Sequence, residues 1–457
     1  MKAWPPEINL PHSFCNGTPQ QYISSLVSFA ERLRPLIDFH IVDFLTQNQW
    51  ELLDPEWRDA LLPEEEQEQD RELWVSGLVQ LATANTSQDT WPQSLKSYVK
   101  DTQELALPRM QQHNVVEEEV SIGKRLRPGM SDKKLHEVGC MSALVHSIAE
   151  QRHIRSVMDL GAGQGYLSRV MAYQYGLRVL AVDGSNVQTC GAKRFDALAV
   201  KRGVEQSMLE HVTDHVTQDN VSSLLSRWSR DANEPWLVCG LHACGDLSSL
   251  MLSLFAEHLS AVVNVGCCYH FLSEDGFPMS NYVKHELQYR MGTIGQMLAC
   301  QTPTRWADRR DETLKSFEHH FFRALLQYIM VEKGLASPKK APVLGRLNKK
   351  KDFTSFPVYV AAALKRLNLP TDAITAQEAQ TYYDTYKKKR VDRQIAVLWT
   401  VRALLAPVLE SIVLVDRWLY LKESLAHYPD TPTKGVWIWP LFDPITSPRN
   451  IVIVASK

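Results

Sequence analysis

The sequence predicts an α/β protein built on a mostly parallel, doubly wound sheet, and three observations predict it. From Arg155 onward, short apolar runs alternate with helical stretches: SVMDLG, LRVLAVDGS, PWLVCGLH and AVVNVGCC. Each run ends in glycine or a polar residue, the pattern of parallel strands joined by crossover helices. The first run leads into a glycine-rich turn, and two late runs, GVWIWPLFD and NIVIVASK, read as an antiparallel hairpin. Open sheets of this kind bind ligands beyond the carboxyl ends of their strands. The polar residues that follow each run are therefore where chemistry is to be sought.

The remaining segments are organised around that sheet. Residues 1–120 read as an accessory helical lobe: residues 22–45 carry apolar positions at three- and four-residue spacing, and an acidic loop, LLPEEEQEQDRE, follows. Residues 121–275 carry the strands and the glycine turn. Residues 276–430 read as a long helical insertion with basic clusters, and residues 431–457 as the hairpin that completes the sheet. Residues 395–421 imitate a membrane span but are interrupted by Arg402, Glu410, Asp416 and Arg417. A span needs roughly 20 mainly apolar residues, and each central charge costs about 2.5–3.5 kcal/mol. A buried helix pair broken near Pro407 is expected instead, with no membrane partner. With 457 residues, 44% hydrophobic, 22% charged and a formal net charge of -2, the chain reads as an ordinary globular protein of two to three lobes. No global field attracts nucleic acid; such binding needs local basic patches. The opening MKAWPPEINLPHSF lacks the apolar core of a secretion signal, and the eight cysteines read as reduced thiols. The cytoplasm or nucleus is the expected compartment.

The strongest local signal is VMDLGAGQGYLS. A strand ends at Asp159, and Gly161, Gly163 and Gly165 follow in an Asp-x-Gly-x-Gly-x-Gly pattern leading into a helix. Glycines there let the backbone turn tightly and approach a ligand. The dinucleotide fingerprint would want glycine where Tyr166 stands. The pattern instead resembles motif I of class I S-adenosylmethionine-dependent methyltransferases, a seven-stranded Rossmann-like fold with one reversed strand. The next strand ends in Asp183, at the spacing where a carboxylate accepts two ribose hydroxyls. S-adenosylmethionine is the expected cofactor.

Two further clusters carry titratable groups. Ser131 or Asp132 caps a helix whose first turn holds Lys133 and Lys134, where the helix dipole disfavours cations; Glu137 lies a turn later, in the less favourable ion-pair order. That broken rule points to an anionic ligand, a cofactor carboxylate or a phosphate, against a plain solvated lysine pair. After the fourth strand, GLHACGDLS offers His242 as a proton acceptor and Asp246 as the group that orients it, with a hydrogen-bonded strand end as the alternative. The stretch AVVNVGCCYHF ends in adjacent cysteines, Cys267 and Cys268, with no paired Cys-x-x-Cys elsewhere. No metal site is expected from that spacing. At least one of these cysteines is assigned to core packing, and Tyr269 and His270 to the wall where the methyl acceptor enters.

The set GMSDKKLHEV, VMDLGAGQGYLS, GLHACGDLS and NVGCCYHFLSE resembles the methyltransferase-like protein 25 family, closest to its 25B branch, also called ribosomal RNA adenine dimethylase domain-containing protein. The resemblance runs with specific motifs from about residue 124 to 275. The order of motifs is more distantly similar to a tRNA ribose 2′-O-methyltransferase family, which has a Lys-His pair before the sheet. The resemblance implies a class I methyltransferase with Gly161, Gly163, Gly165 and Asp183 as cofactor contacts; the residue pattern adds Asp159, Lys133 and His136 as candidates toward the cofactor, and His242, Asp246, Lys134 and His270 as candidates toward catalysis. Adenine-N6 dimethylases carry an Asn-Leu-Pro-Tyr-like motif after strand four; Gly240-Leu241-His242-Ala243-Cys244 stands there instead, so that chemistry is not implied. Basic clusters at Lys124, Arg125 and Arg127, at Lys339 and Lys340, at Lys349, Lys350 and Lys351, and at residues 387–390 suit phosphate contacts. RNA is the favoured substrate, with a protein substrate or a turnover-free binding module as alternatives; nothing points to DNA, and the oligomeric state is open.

Overall fold

The computed structural model describes residues 4–63, 71–84, 86–112, 120–204, 208–231, 233–338 and 340–457. Most of the acidic loop after Pro63, and Lys339 of the basic clusters, lie outside the described residues. The chain divides into two compact units, one of Met1–Phe29, Leu105–Cys300 and Val408–Lys457, the other of Ala30–Glu104 and Gln301–Pro407.

The first unit holds a seven-stranded sheet: β1 (Ser156–Leu160), β2 (Arg178–Asp183), β3 (Leu209–Thr213), β4 (Trp236–Cys244), β5 (Ala261–Cys267), β6 (Gly435–Pro440) and β7 (Ile451–Ser456). Their order is β3-β2-β1-β4-β5-β7-β6. The first five are parallel, and β7 runs antiparallel to both β5 and β6. Central parallel strands are covered on both faces and so read as unbroken apolar runs; every residue of β1 and β5 is buried. β3, LEHVT, is a half-exposed edge with two apolar residues, too few to stand out as a run, and it escaped the sequence reading.

One covering layer is the Asp132–Gln151 helix, capped by Ser131, whose hydroxyl accepts from the Lys134 N–H at 3.4 Å. It buries Val138, Met141, Leu144, Val145 and Ile148 against Val157, Leu237, Val263 and Val454 of the sheet. Each such side chain contributes about 1.5–3 kcal/mol on burial.

The second unit is helical, with Arg310–Glu332, Phe356–Arg366, Ala376–Lys388 and Val391–Ala403 packed around Phe321, Phe322, Leu325 and Tyr359. The helix expected across residues 22–45 runs only over Pro19–Arg32, with a short Arg34–Ile37 turn started by Pro35. Among the described residues, one stretch, Val391–Leu425, is long and apolar enough to cross a membrane, and most of it is buried inside the protein. Its helix stops at Ala403 and restarts at Ala406, putting Pro407 in a first turn where no N–H is missed. All four interrupting charges are buried: Arg402 donates to the carbonyls of Leu36 (3.0 Å) and Ile37 (2.8 Å), and Asp416 accepts from the N–H groups of Met279 and Ser280 at 2.8 and 2.9 Å.

Candidate functional site

The turn after β1 is made of backbone. Gly161, Gly163 and Gly165 have φ of 72°, 56° and 66°, the left-handed region that disfavours any Cβ. The Gly161 N–H donates to the Val182 carbonyl at 2.9 Å, tying the turn to the end of β2. The three glycines face different surroundings. A methyl on Gly165 would stand 2.7 Å from His211 Cε1, inside a cluster where Asp196 holds both His211 Nε2 (2.6 Å) and Arg169 Nε (2.9 Å). A methyl on Gly161 would meet Leu247, whereas one on Gly163 would meet nothing within 4 Å. Gly163 therefore borders open space. Its N–H donates to Asp183 Oδ2 at 2.9 Å, and the Ser185 N–H donates to Oδ1 at 2.8 Å.

Asp159 lies beneath this turn, 2% exposed, and accepts from the Ser168 hydroxyl. Burial pushes its carboxyl up to about 6 despite that hydrogen bond. It supports the loop and the Tyr166–Tyr173 helix.

At the carboxyl ends of β4 and β5 the site is made of side chains. The β4–β5 register slips between Leu241 and Ala243, and His242 sits at the slip with φ 65°. Bulges re-aim side chains, and this one brings His242 Nε2 to 2.8 Å from Glu137 Oε1. Glu137 is fully buried and gathers Ser447 Oγ at 2.7 Å, Lys134 Nζ at 3.4 Å and Lys133 Nζ at 3.5 Å. Burial alone would raise its pKa; the hydrogen bond and charge of His242, then Ser447 and Lys134, outweigh it and hold the carboxyl at about 2. Glu137 is thus an ionised buried carboxylate that fixes an imidazole whose side chain is a quarter exposed.

Residues 133–275 match a family described as "Methyltransferase domain". With the 3-2-1-4-5-7-6 sheet and the glycine turn, that match decides the fold. It is a class I methyltransferase domain. The chain is similar to "Probable methyltransferase-like protein 25" of Mus musculus, 28% identical with 95% of this chain and 96% of that protein covered. The Homo sapiens protein of the same description is 26% identical, covering 72% of this chain and 75% of that one. The resemblance read from the four motifs thus extends over most of the chain. Among solved structures, a coclaurine N-methyltransferase bound to N-methylheliamine and SAH is 13% identical, with a TM-score of 0.23 and 95% and 100% of the two chains covered.

S-adenosylmethionine is the cofactor of the methyltransferase domain, and the residues present fit it. The left-handed Gly163 opens on free space, and Asp183, with two hydrogen bonds accepted, keeps carboxylate lone pairs for ribose hydroxyls. Other residues expected at the site are placed differently. Lys133 and Lys134 face Glu137, which accounts for the unfavourable first-turn charge without a ligand. His136 Nε2 accepts from the Asp443 N–H at 3.0 Å and packs on Phe442. The carboxylate that orients His242 is Glu137 rather than Asp246, whose Oδ1 accepts from the Ser273 N–H at 2.8 Å and secures the next turn. Tyr269 is not on the acceptor wall: it is 1% exposed and donates to Glu410 Oε1 at 2.8 Å, between the guanidiniums of Arg417 and Arg449. His270 is half-buried, its Nδ1 3.4 Å from Cys300 Sγ. Glu137 was missed as a partner of His242. The available signal was an acid beside Val138, on the stretch of the helix that packs inward.

Proposed function

We propose that the protein transfers the methyl group of S-adenosylmethionine to RNA in the cytoplasm or nucleus, at an acceptor atom that must lose a proton. The observation that carries this reading is the Glu137–His242 pair at the end of β4. Bound S-adenosylmethionine supplies an electrophilic methyl carbon. An amine acceptor needs little beyond alignment with it, whereas a hydroxyl needs a base. An imidazole held in one orientation by a buried carboxylate is suited to take that proton, and the ribose 2′-hydroxyl is the RNA group it matches.

The basic clusters support the substrate class in part. Arg125 and Arg127 are committed to the carbonyls of Gly203 and Ile122, and Lys387 to Glu318 and Asp392. Lys124, Lys349, Lys350, Lys351, Lys388 and Lys389 remain exposed to meet phosphates. The test is transfer of labelled methyl from S-adenosylmethionine to cellular RNA and protein pools. RNase-sensitive label that survives protease is expected. His242→Gln should lower it about 10²–10⁴-fold with cofactor affinity kept. Protease-sensitive label instead would assign a protein acceptor, and cofactor binding without transfer to either pool would mark a binding module.

A further inference from the structure

Beside the His242 bulge, three thiols meet. Cys244 and Cys267 are register partners at the ends of β4 and β5. Cys268, the next residue, has φ 52° and ψ 48°, a left-handed conformation costly for a non-glycine residue. That turn folds its side chain back, so the three sulfurs form a triangle with edges of 3.3 Å (Cys244–Cys267), 3.4 Å (Cys244–Cys268) and 3.6 Å (Cys267–Cys268). Three thiolates on one zinc ion, at about 2.3 Å each, stand about 3.8 Å apart at tetrahedral angles. The observed triangle differs from that face by a few tenths of an ångström.

A second observation points the same way. Arg417 is 0% exposed, and none of its Nε, Nη1 and Nη2 atoms has a hydrogen-bond partner among the described residues. Its neighbour Asp416 is engaged by the Met279 and Ser280 amides and the Ser280 hydroxyl. The guanidinium lies against the strand end through the gap at Gly266, where an added methyl would stand 2.4 Å from Nη1. A buried guanidinium without acceptors is costly unless negative charge forms beside it.

We propose that Cys244, Cys267 and Cys268 bind one zinc ion as thiolates, with Arg417 as the buried counter-charge. The charges close: three thiolates and Zn²⁺ leave one negative charge, which the guanidinium balances. Binding releases the three thiol protons to solvent, and no oxidant or reductant is needed. Thiolates select zinc or copper(I), and thiolates on a tetrahedral face suit zinc. Nearby, His242 is held by Glu137, and His270 Nδ1 lies 3.4 Å from the Cys300 thiol. Among the described residues no fourth side chain joins the three sulfurs, which leaves the remaining corner of the tetrahedron to solvent. The site is independent of which acceptor the enzyme methylates.

The test uses the full chain, purified under reducing conditions from zinc-supplemented cells, with metal measured by elemental analysis. One zinc per chain is expected, and cobalt exchange should give intense thiolate-to-metal charge-transfer bands. Changes outside a ligand set alone cost about 10–100-fold in affinity, so Cys244→Ser and Cys268→Ser should each lose more than about 100-fold. The exposed Cys15→Ser and Cys190→Ser variants should keep full zinc. A folded chain without zinc, full zinc in Cys244→Ser, copper in its place, or a native disulfide from Cys244 to Cys267 or Cys268 would each overturn the assignment. The cobalt spectrum reads the thiolates in the unsubstituted chain, so a variant that fails to fold does not blunt the test.

Discussion

On the β1–β2 side of the sheet the site is built from backbone: three left-handed glycines, an amide on Asp183, and open space over Gly163. On the β4–β5 side it is built from side chains drawn from distant positions: Glu137, His242 and Ser447, with the thiols of Cys244, Cys267 and Cys268 alongside. The difference follows from what each side must hold. A cofactor of fixed shape is met by a turn that approaches closely, whereas the proton transfer proposed for His242 needs a base held at one angle, which packed side chains supply. The backbone half is therefore sensitive to added bulk, and the side-chain half to lost charge.

The largest effect should come from removing the charge that the side-chain half is built around. Glu137→Ala leaves His242, Lys134 and Ser447 facing an empty buried position and should cost about 3–5 kcal/mol in chemical denaturation. Glu137→Gln keeps the volume and should cost less.

Acid titration sets the two halves against each other. Glu137, held at about 2 against an ordinary 4.5, contributes about 3 kcal/mol that is present above pH 4.5 and lost as pH falls through 2. Asp159, raised to about 6 from 3.8, acts with the opposite sign. Its buried charge costs stability above pH 6, and protonation relieves that cost as pH falls toward 3.8. Melting temperature followed from pH 7 downward should gain from Asp159 before it loses from Glu137. Asp159→Asn should abolish the gain alone, and Glu137→Gln the loss alone.

Within the glycine turn, two substitutions separate binding from folding. Gly163→Arg meets no protein atom at its Cβ, so beyond about 1–2 kcal/mol of left-handed strain it should spare the fold. Calorimetry should find cofactor affinity reduced about 100-fold or more, roughly 2.7 kcal/mol. Gly165→Ala instead collides with His211 and should lower the melting temperature before it touches binding. A Gly163→Arg protein that binds S-adenosylmethionine normally would remove the turn from the site. The smallest effect is expected at Lys133→Ala: its amine is nearly half exposed, and such pairs contribute about 0.2–1 kcal/mol.

The backbone half was legible because it is local. Asp159, the three glycines and Asp183 fall within one strand-turn-helix-strand unit, and residue type alone announces left-handed turns. The side-chain half was not, because His242 meets a carboxylate 105 residues upstream and that carboxylate meets a serine 310 residues downstream. Asp246, the nearest acid in sequence, was the natural but mistaken partner. Tyr269 was assigned to the acceptor wall because it follows a strand end, yet a 3₁₀ turn carries its ring inward to Glu410. β3 shows the limit on the fold itself, since an edge strand with two apolar residues carries no pattern to detect.

The position of β7 between β5 and β6 has a consequence for the protein's biogenesis. β5 ends at Cys267 and its outer partner begins at Ile451, 184 positions later. At ribosomal speeds of about 5–20 residues per second, that interval is roughly 10–40 s. Throughout it the most apolar strand of the nascent sheet presents an unpaired edge, the type of surface on which chains aggregate. Chaperone cover during that window, more than final stability, should govern how much of this protein a cell recovers in soluble form.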